Sequence, residues 1–219
     1  LLELMHGARN RFRTVRLTMR EWQHSGRMTR VAEEQARASP GGSWTMYPAA
    51  AADDDQAPPP DETTSIVRLW IDGPTRTREE REALWEGGEQ TVSVRDGDWW
   101  WMYSPSMGAV TNEGDPKHGL GDWAGWLLDP SELLPSLDLE VIGSGERAGR
   151  PVIVAHGRPR RLRYESDEPI GERDLEVDAE VGVLLRLADS FEGEEYQVTE
   201  VTEIAFDEDF PDDVFAYVP

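Results

Sequence analysis

Four histidines, His6, His24, His118 and His156, are the side chains best suited by type to hold a metal or move a proton, yet their spacing does not gather them. None belongs to an HExxH arrangement or has a second histidine at the interval of a helical ligand pair. The sequence also has no GxSxG nucleophile elbow, no P-loop and no GxGxxG run after a strand. Gly143-Ser144-Gly145 reads as a hairpin turn. Acidic clusters at Asp53 to Asp55 and Asp207 to Asp213 offer the oxygen ligands that calcium favours, but without EF-hand spacing. No two of the 44 acidic residues stand out as the carboxylate pair of a hydrolase. The clusters read as solvated acidic surface, and the chain is expected to be non-enzymatic, with no catalytic residue, cofactor or metal site.

The nine tryptophans say more. Trp99, Trp100 and Trp101 are consecutive, so in a strand Trp99 and Trp101 share one face and Trp100 points to the other. Two readings stand. Such rings can simply pack a core, or some of them, with Trp70, Trp123, Trp126 and Leu127, can line an apolar cavity for a lipid or a lipidated peptide. An acyl chain in such a cavity would gain about 0.8 kcal/mol per buried methylene.

Composition narrows the partners. The 44 acidic against 22 basic residues give a formal charge of -22, a field that repels nucleic-acid phosphates and anionic membrane surfaces. All the basic residues but Lys117 are arginines. There is no cysteine, which excludes disulfides, thiolate ligands and a catalytic thiol. No apolar run approaches the roughly 20 residues that span a bilayer, and Leu1-Leu2-Glu3-Leu4 lacks the basic-then-apolar layout of a signal peptide. With 38% hydrophobic residues the chain can nevertheless build a core, and 219 residues suit one domain.

The elements that must position these residues follow from hydrophobic period and turn chemistry. Leu1, Leu4, Met5 and Ala8 predict a short helix over Leu1 to Arg9, and Val15, Leu17 and Met19 alternate with Thr14, Arg16 and Thr18 as a half-buried strand ended by Trp22. A helix is expected over Gly26 to Ala38, then a flexible insertion over Ser39 to Thr64, rich in alanine, aspartate and proline. Strands are expected at Ile66 to Ile71, Thr77 to Trp85, and Gln90 to Arg95 joined to Trp99 to Tyr103 through Asp96-Gly97. A helix is expected over Leu120 to Leu137, with Asp129-Pro130-Ser131-Glu132 as a capping sequence. Beyond it come Leu139 to Ile142, Pro151 to His156, Leu162 to Glu165, Asp174 to Val177, Val183 to Ala188 and Tyr196 to Phe206. About ten strands in an antiparallel meander would curl strongly through their own twist.

Several of these segments together resemble the LolA/RseB superfamily of lipoprotein carriers and MucB/RseB-like sigma-factor regulatory domains, in the form found in actinobacteria. They are Arg68 to Pro74, the Asp96 to Trp100 hairpin, Leu127-Leu128-Asp129-Pro130 with Leu133-Leu134, Ala148 to Pro151, Leu175 to Asp178 with Gly182 to Arg186, and the ending Phe206 to Phe215. The motifs are turn and strand patterns whose order, over most of the chain, carries the likeness. The resemblance implies an α+β fold, mainly β, in which a strongly curved antiparallel sheet forms a half-barrel of LolA/LppX type with helices packed in its concave side. It implies one such domain over residues 1–219, binding an acyl chain of a lipid or lipoprotein, or else a regulatory protein partner such as an anti-sigma factor. It also implies the cell envelope, while first residues without a signal-peptide layout leave the cytoplasm open. The long insertion departs from the compact carriers, and no site residue of the family transfers.

Overall fold

A computed structural model of the protein describes residues 1–38, 60–111, 125–160 and 171–216. They hold eleven strands in one antiparallel sheet. β1 (Thr14–His24) is central; β2 (Glu62–Asp72), β3 (Arg76–Ala83), β4 (Gln90–Asp96), β5 (Trp99–Ser104) and β6 (Gly108–Thr111) step away from it to one side. On its other side β11 (Glu194–Phe206) pairs with β1, followed outward by β10 (Leu184–Phe191), β9 (Glu172–Asp178), β8 (Arg150–Pro159) and β7 (Leu137–Arg147). β6 and β7 are the two edges, so the sheet is an open half-barrel. The chain between them must travel from one edge to the other, and this crossing carries helix α3 (Gly125–Leu128) and a 3-10 turn, Pro130–Leu133.

Alternation in β1 and β2 works as the sequence implies. Val15, Leu17 and Met19 are buried and register with Ile71, Leu69 and Val67, while Arg16 and Thr18 face the other way. Onto this face pack helix α1 (Leu2–His6), the 3-10 turn Ala8–Arg11 and α3. Met5, Ala8, Leu127 and Leu128 join Leu17, Leu69, Leu175 and Val177 in one cluster. Burying a leucine side chain there contributes about 1.5–3 kcal/mol, which holds the crossing on the sheet. Helix α2 (Ser25–Ala38) follows β1 directly and buries Val31. No helix of the described residues is long and apolar enough to cross a membrane.

Several boundaries differ from the sequence expectations. β1 runs past Trp22 to His24 because Gln23 and His24 still pair with Thr63 and Glu62, and so β2 takes in the last residues assigned to the insertion. Residues 39–59 of that insertion, and the expected strand Leu162 to Glu165, lie outside the described residues. The long helix expected over Leu120 to Leu137 is, within the described part, one turn of α3, a 3-10 turn and the first residue of β7. Pro130 has no N–H to donate and disfavours helical backbone in the residue before it, so α3 stops at Asp129, with φ -127° and ψ 74°. The capping sequence is real: the Asp129 carboxylate accepts the Ser131 N–H at 3.3 Å. Asp129→Ala is expected to cost about 1 kcal/mol, read as a lower urea midpoint at unchanged slope.

Gly143-Ser144-Gly145 is not a turn. It lies within β7 opposite Val154, Ile153 and Val152, just past a bulge between Val141 and Gly143. The turn falls at Ala148-Gly149, with φ of 50° and 72°. Both central residues of a tight hairpin turn of this kind need positive φ, which the Ala-Gly pair meets and a strand position does not require. β6, too short for a periodicity to show, was not anticipated.

Candidate functional site

The face of the sheet that carries α1 and α3 changes character along its strands. Near Val15 it is apolar and closed over by the helices; toward the other end of β1 it becomes polar. Glu21 follows Met19 on this face and is opposite the buried Ser65, while Gln23 is opposite the buried Thr63. On β3, Arg81 registers with Val67 and pairs with Glu21, and its Nε lies 3.5 Å from Glu79. Across the centre, Arg173 donates to the buried Asp189 at 2.6 Å, and Asp189 registers with Gln197. A cavity of about 170 Å³ opens here, lined by Glu21, Gln23, Thr63, Ser65, Arg81 and Trp85 among others.

Burial pushes the Glu21 carboxyl above the ordinary glutamate range, opposed by its hydrogen bond to Arg81. Burial likewise pushes Asp189 up against the pull of Arg173, and pushes the Tyr196 hydroxyl to about 12, helped by the Asp189 charge. A carboxyl whose pKa is raised by folding contributes stability that is fully present below its unfolded pKa and lost as pH rises through its folded one. Asp189→Asn is therefore expected to remove that part of the slope. Melting temperatures from the ordinary aspartate value upward should fall more with pH in the wild type than in the variant. Parallel curves would sink the assignment.

The opposite face presents a cross-strand row of Arg16, Trp70, Arg78, Val94 and Trp101, each registered with the next from β1 to β5. A strap formed by residues 207–216 lies over this face. Arg16 grips Glu208 through two contacts at 2.9 and 3.3 Å, Arg78 donates to the Val214 carbonyl at 3.1 Å, and the Arg76 guanidinium sits 4.5 Å from the centre of the buried Phe215 ring. That hydrogen bond to Arg16 holds Glu208 below the usual carboxylate range. The acidic ending, expected as plain solvated surface, is thus tied down by arginines.

The expected cavity liners separate. Trp70 and Trp101 belong to the strap-side row, and Trp99, 49% exposed, shares their face on β5. Leu127 is fully buried on the helix side and Trp126 is packed against the same cluster. Trp123 lies outside the described residues. The described five therefore do not line one cavity; a sheet stands between the two groups. The polar pairs Glu21–Arg81 and Asp189–Arg173 were missed, because a charge in an alternating strand reads as solvent-facing. One sign was present: Arg76–Ala83 carries charges at odd and even positions alike, so β3 has no apolar side to turn inward. Among the described residues no three of His, Asp and Glu converge as a metal-binding group. His156 and Asp174 pair at 2.8 Å, with Glu172 3.7 Å from the other ring nitrogen.

No family model matches the sequence, and no curated protein matches it. Solved structures do. MucB aligns with a TM-score of 0.53 and 17% identity over 99% of this chain and 61% of its own. MucB in complex with MucA(peri) gives 0.50 and 17%, covering 99% and 58%. The MucA/MucB complex of Pseudomonas aeruginosa gives 0.50 and 16%, covering 99% and 59%. The chain thus spans about three fifths of the MucB chains it matches. An open antiparallel half-barrel with α1 and α3 packed on one face, aligning with MucB over 99% of this chain, is a LolA/RseB-like fold.

Proposed function

We propose that the chain is a non-enzymatic binding domain, one LolA/RseB-like unit over residues 1–219, that recognises a regulatory protein partner through the helix-side face of its sheet. The observation that carries this reading is the polarity of the open end of that face. Glu21 and Arg81 form an ion pair in the wall of the recess, and Asp189, which registers with the lining Gln197, forms a second with Arg173 beside it, an arrangement that favours peptide groups over an acyl chain. The solved complexes of MucB with MucA concern another protein, but they support a partner-binding reading of the same fold. Gln23 lines the cavity, and its residue is exposed, so Gln23→Arg should alter recognition without touching the core. Cross-linking and capture from native lysate is expected to retain a partner on the wild type and several-fold less on the variant at equal melting temperature. Equal retention by both proteins, or none above background, would overturn the reading.

Binding of a lipid or lipoprotein acyl chain is a second reading, favoured by Trp126, which borders the buried Leu127 and Leu128 on the helix side. Titration with a lipopeptide should then shift tryptophan emission to the blue. An unchanged spectrum at saturating lipopeptide argues against it.

A further inference from the structure

The strap shows what its own seat selects. After Phe206 the chain turns at Asp207, whose N–H bonds the Thr14 carbonyl at 3.0 Å and whose carboxylate accepts the Arg13 N–H at 2.8 Å. From there it crosses β1 to β4 in the order Asp207-Glu208-Asp209-Phe210-Pro211-Asp212-Asp213-Val214-Phe215. Arg13 meets Asp209 at 2.8 Å, Arg16 meets Glu208, Arg76 meets Asp212 at 3.3 Å, and Arg78 takes the Val214 carbonyl. Phe215, 1% exposed, is the one buried side chain of the segment, and Phe210 stacks edge-on to it at 6.0 Å. In a chain of charge -22, four arginines thus gather on one surface, shared between Asp72, Glu80 and Asp96 of the sheet and an acidic, aromatic-bearing segment of polypeptide.

The attachment is also of a reversible kind. Past its root at Asp207 the strap joins no β-ladder among the described residues; its backbone bonds Val214 to Pro211 and Ala216 to Asp213 are internal. Its ion pairs are wet: the Asp209 and Asp212 side chains are 98% and 99% exposed. Exposed pairs hold weakly and are screened by salt, and such segments open locally without unfolding the sheet beneath.

We infer that the groove from Arg13 and Arg16 to the seat of Phe215 is an interaction surface for an acidic, phenylalanine-bearing segment of a partner protein, occupied in cis by residues 207–216, which end there in a 3-10 turn over Asp212–Phe215. It lies on the face opposite the cavity of the proposed function and stands without that reading. A partner segment of matching chemistry binds by displacing the strap, so affinity depends on how readily the strap opens.

The test uses a fluorescein-labelled peptide of residues 207–216, followed by anisotropy. The full chain carrying Glu208→Gln and Phe215→Ala is expected to bind it about 10-fold or more tighter than the wild type, because its own strap competes less. Arg76→Ala added to that variant should weaken binding about 10-fold, as should raising salt from about 50 to about 500 mM. A folded variant, by circular dichroism and melting, that shows no saturable binding overturns the proposal. Should the variant not fold, hydrogen exchange on the wild type decides. Amides of 208–216 are expected to exchange ahead of those of β1, and faster still with excess unlabelled peptide. Strap amides that open only with the sheet and ignore the peptide overturn it equally.

Discussion

Asp178→Ala is expected to cost about 3–5 kcal/mol, the usual effect of removing one partner from a buried, hydrogen-bonded charge pair. Asp178 has no exposed surface. Its Oδ1 accepts the N–H groups of Glu180 and Val181, both at 2.8 Å, and its carboxylate takes the guanidinium of Arg150. One side chain thus closes the turn from β9 toward β10 and anchors β8 to it. Truncation leaves two turn amides without their acceptor and strips Arg150 of its inner partner, though Glu180 remains 2.7 Å away. The damage reaches further, since Arg150 also lies 5.2 Å over the Phe206 ring, and Phe206 packs 5.1 Å from Phe12. Asp178→Asn keeps one acceptor oxygen and the volume, and should lose roughly half as much. Urea melts of the three proteins at equal slope measure this. A loss below about 1 kcal/mol for the alanine variant would show that the turn closes without it.

That turn illustrates which parts of the fold are legible in the sequence. Local chemistry is: the alternation of Val15, Leu17 and Met19, the hairpin after Asp96 and the capping by Asp129 all stand as expected, because each depends on neighbours a few residues away. Asp178 falls just past the expected strand Asp174 to Val177, yet nothing local says that its carboxylate is buried, since Arg150 is 28 residues distant. The closing of β11 onto β1 and the edge-to-edge crossing that carries α3 are likewise long-range facts. So is the misplaced turn: glycines at 143 and 145 are a turn signal in isolation and a bulged edge strand in context.

The tryptophan row failed as a single site for a similar reason. Residue parity within β5 correctly placed Trp99 and Trp101 together, but it could not say which face α1 and α3 would cover. That choice is made by the apolar parity of β1 and β2, and it sends Trp70 to the side away from Leu127. The half-barrel consequently has two distinct surfaces. One is half core and half polar recess, and the other is an arginine and tryptophan face under the chain's own acidic strap. The carboxylates of the described residues are therefore unequal: Glu21 and Asp178 are drawn into the structure by arginines, and Glu208 and Asp212 hold the strap.

Gly182→Ala is the second substitution expected to be severe, through backbone and packing alone. Gly182 has φ of +90°, and a Cβ built there would meet the Leu4 carbonyl oxygen at 2.3 Å and its carbon at 2.8 Å. The obstacle is the backbone of α1, not the end of a flexible side chain, so relief requires the helix to move. α1 cannot move cheaply, because Met5, next to Leu4, is fully buried against the sheet. Left-handed strain adds about 1–2 kcal/mol and the forced displacement about 1–3 more, giving about 2–5 kcal/mol in all. Gly149→Ala separates the two causes: its φ is +72°, but nothing lies within 4 Å of the built Cβ, so it bears the strain alone and should cost about 1–2 kcal/mol. The excess of the first loss over the second, measured by chemical denaturation, is the contribution of the close approach between α1 and the turn toward β10. Shortening the chain to remove Leu1 to His6 should abolish that excess, since the carbonyl that the methyl group meets is then gone. An excess that survives the deletion would place the conflict elsewhere in the turn.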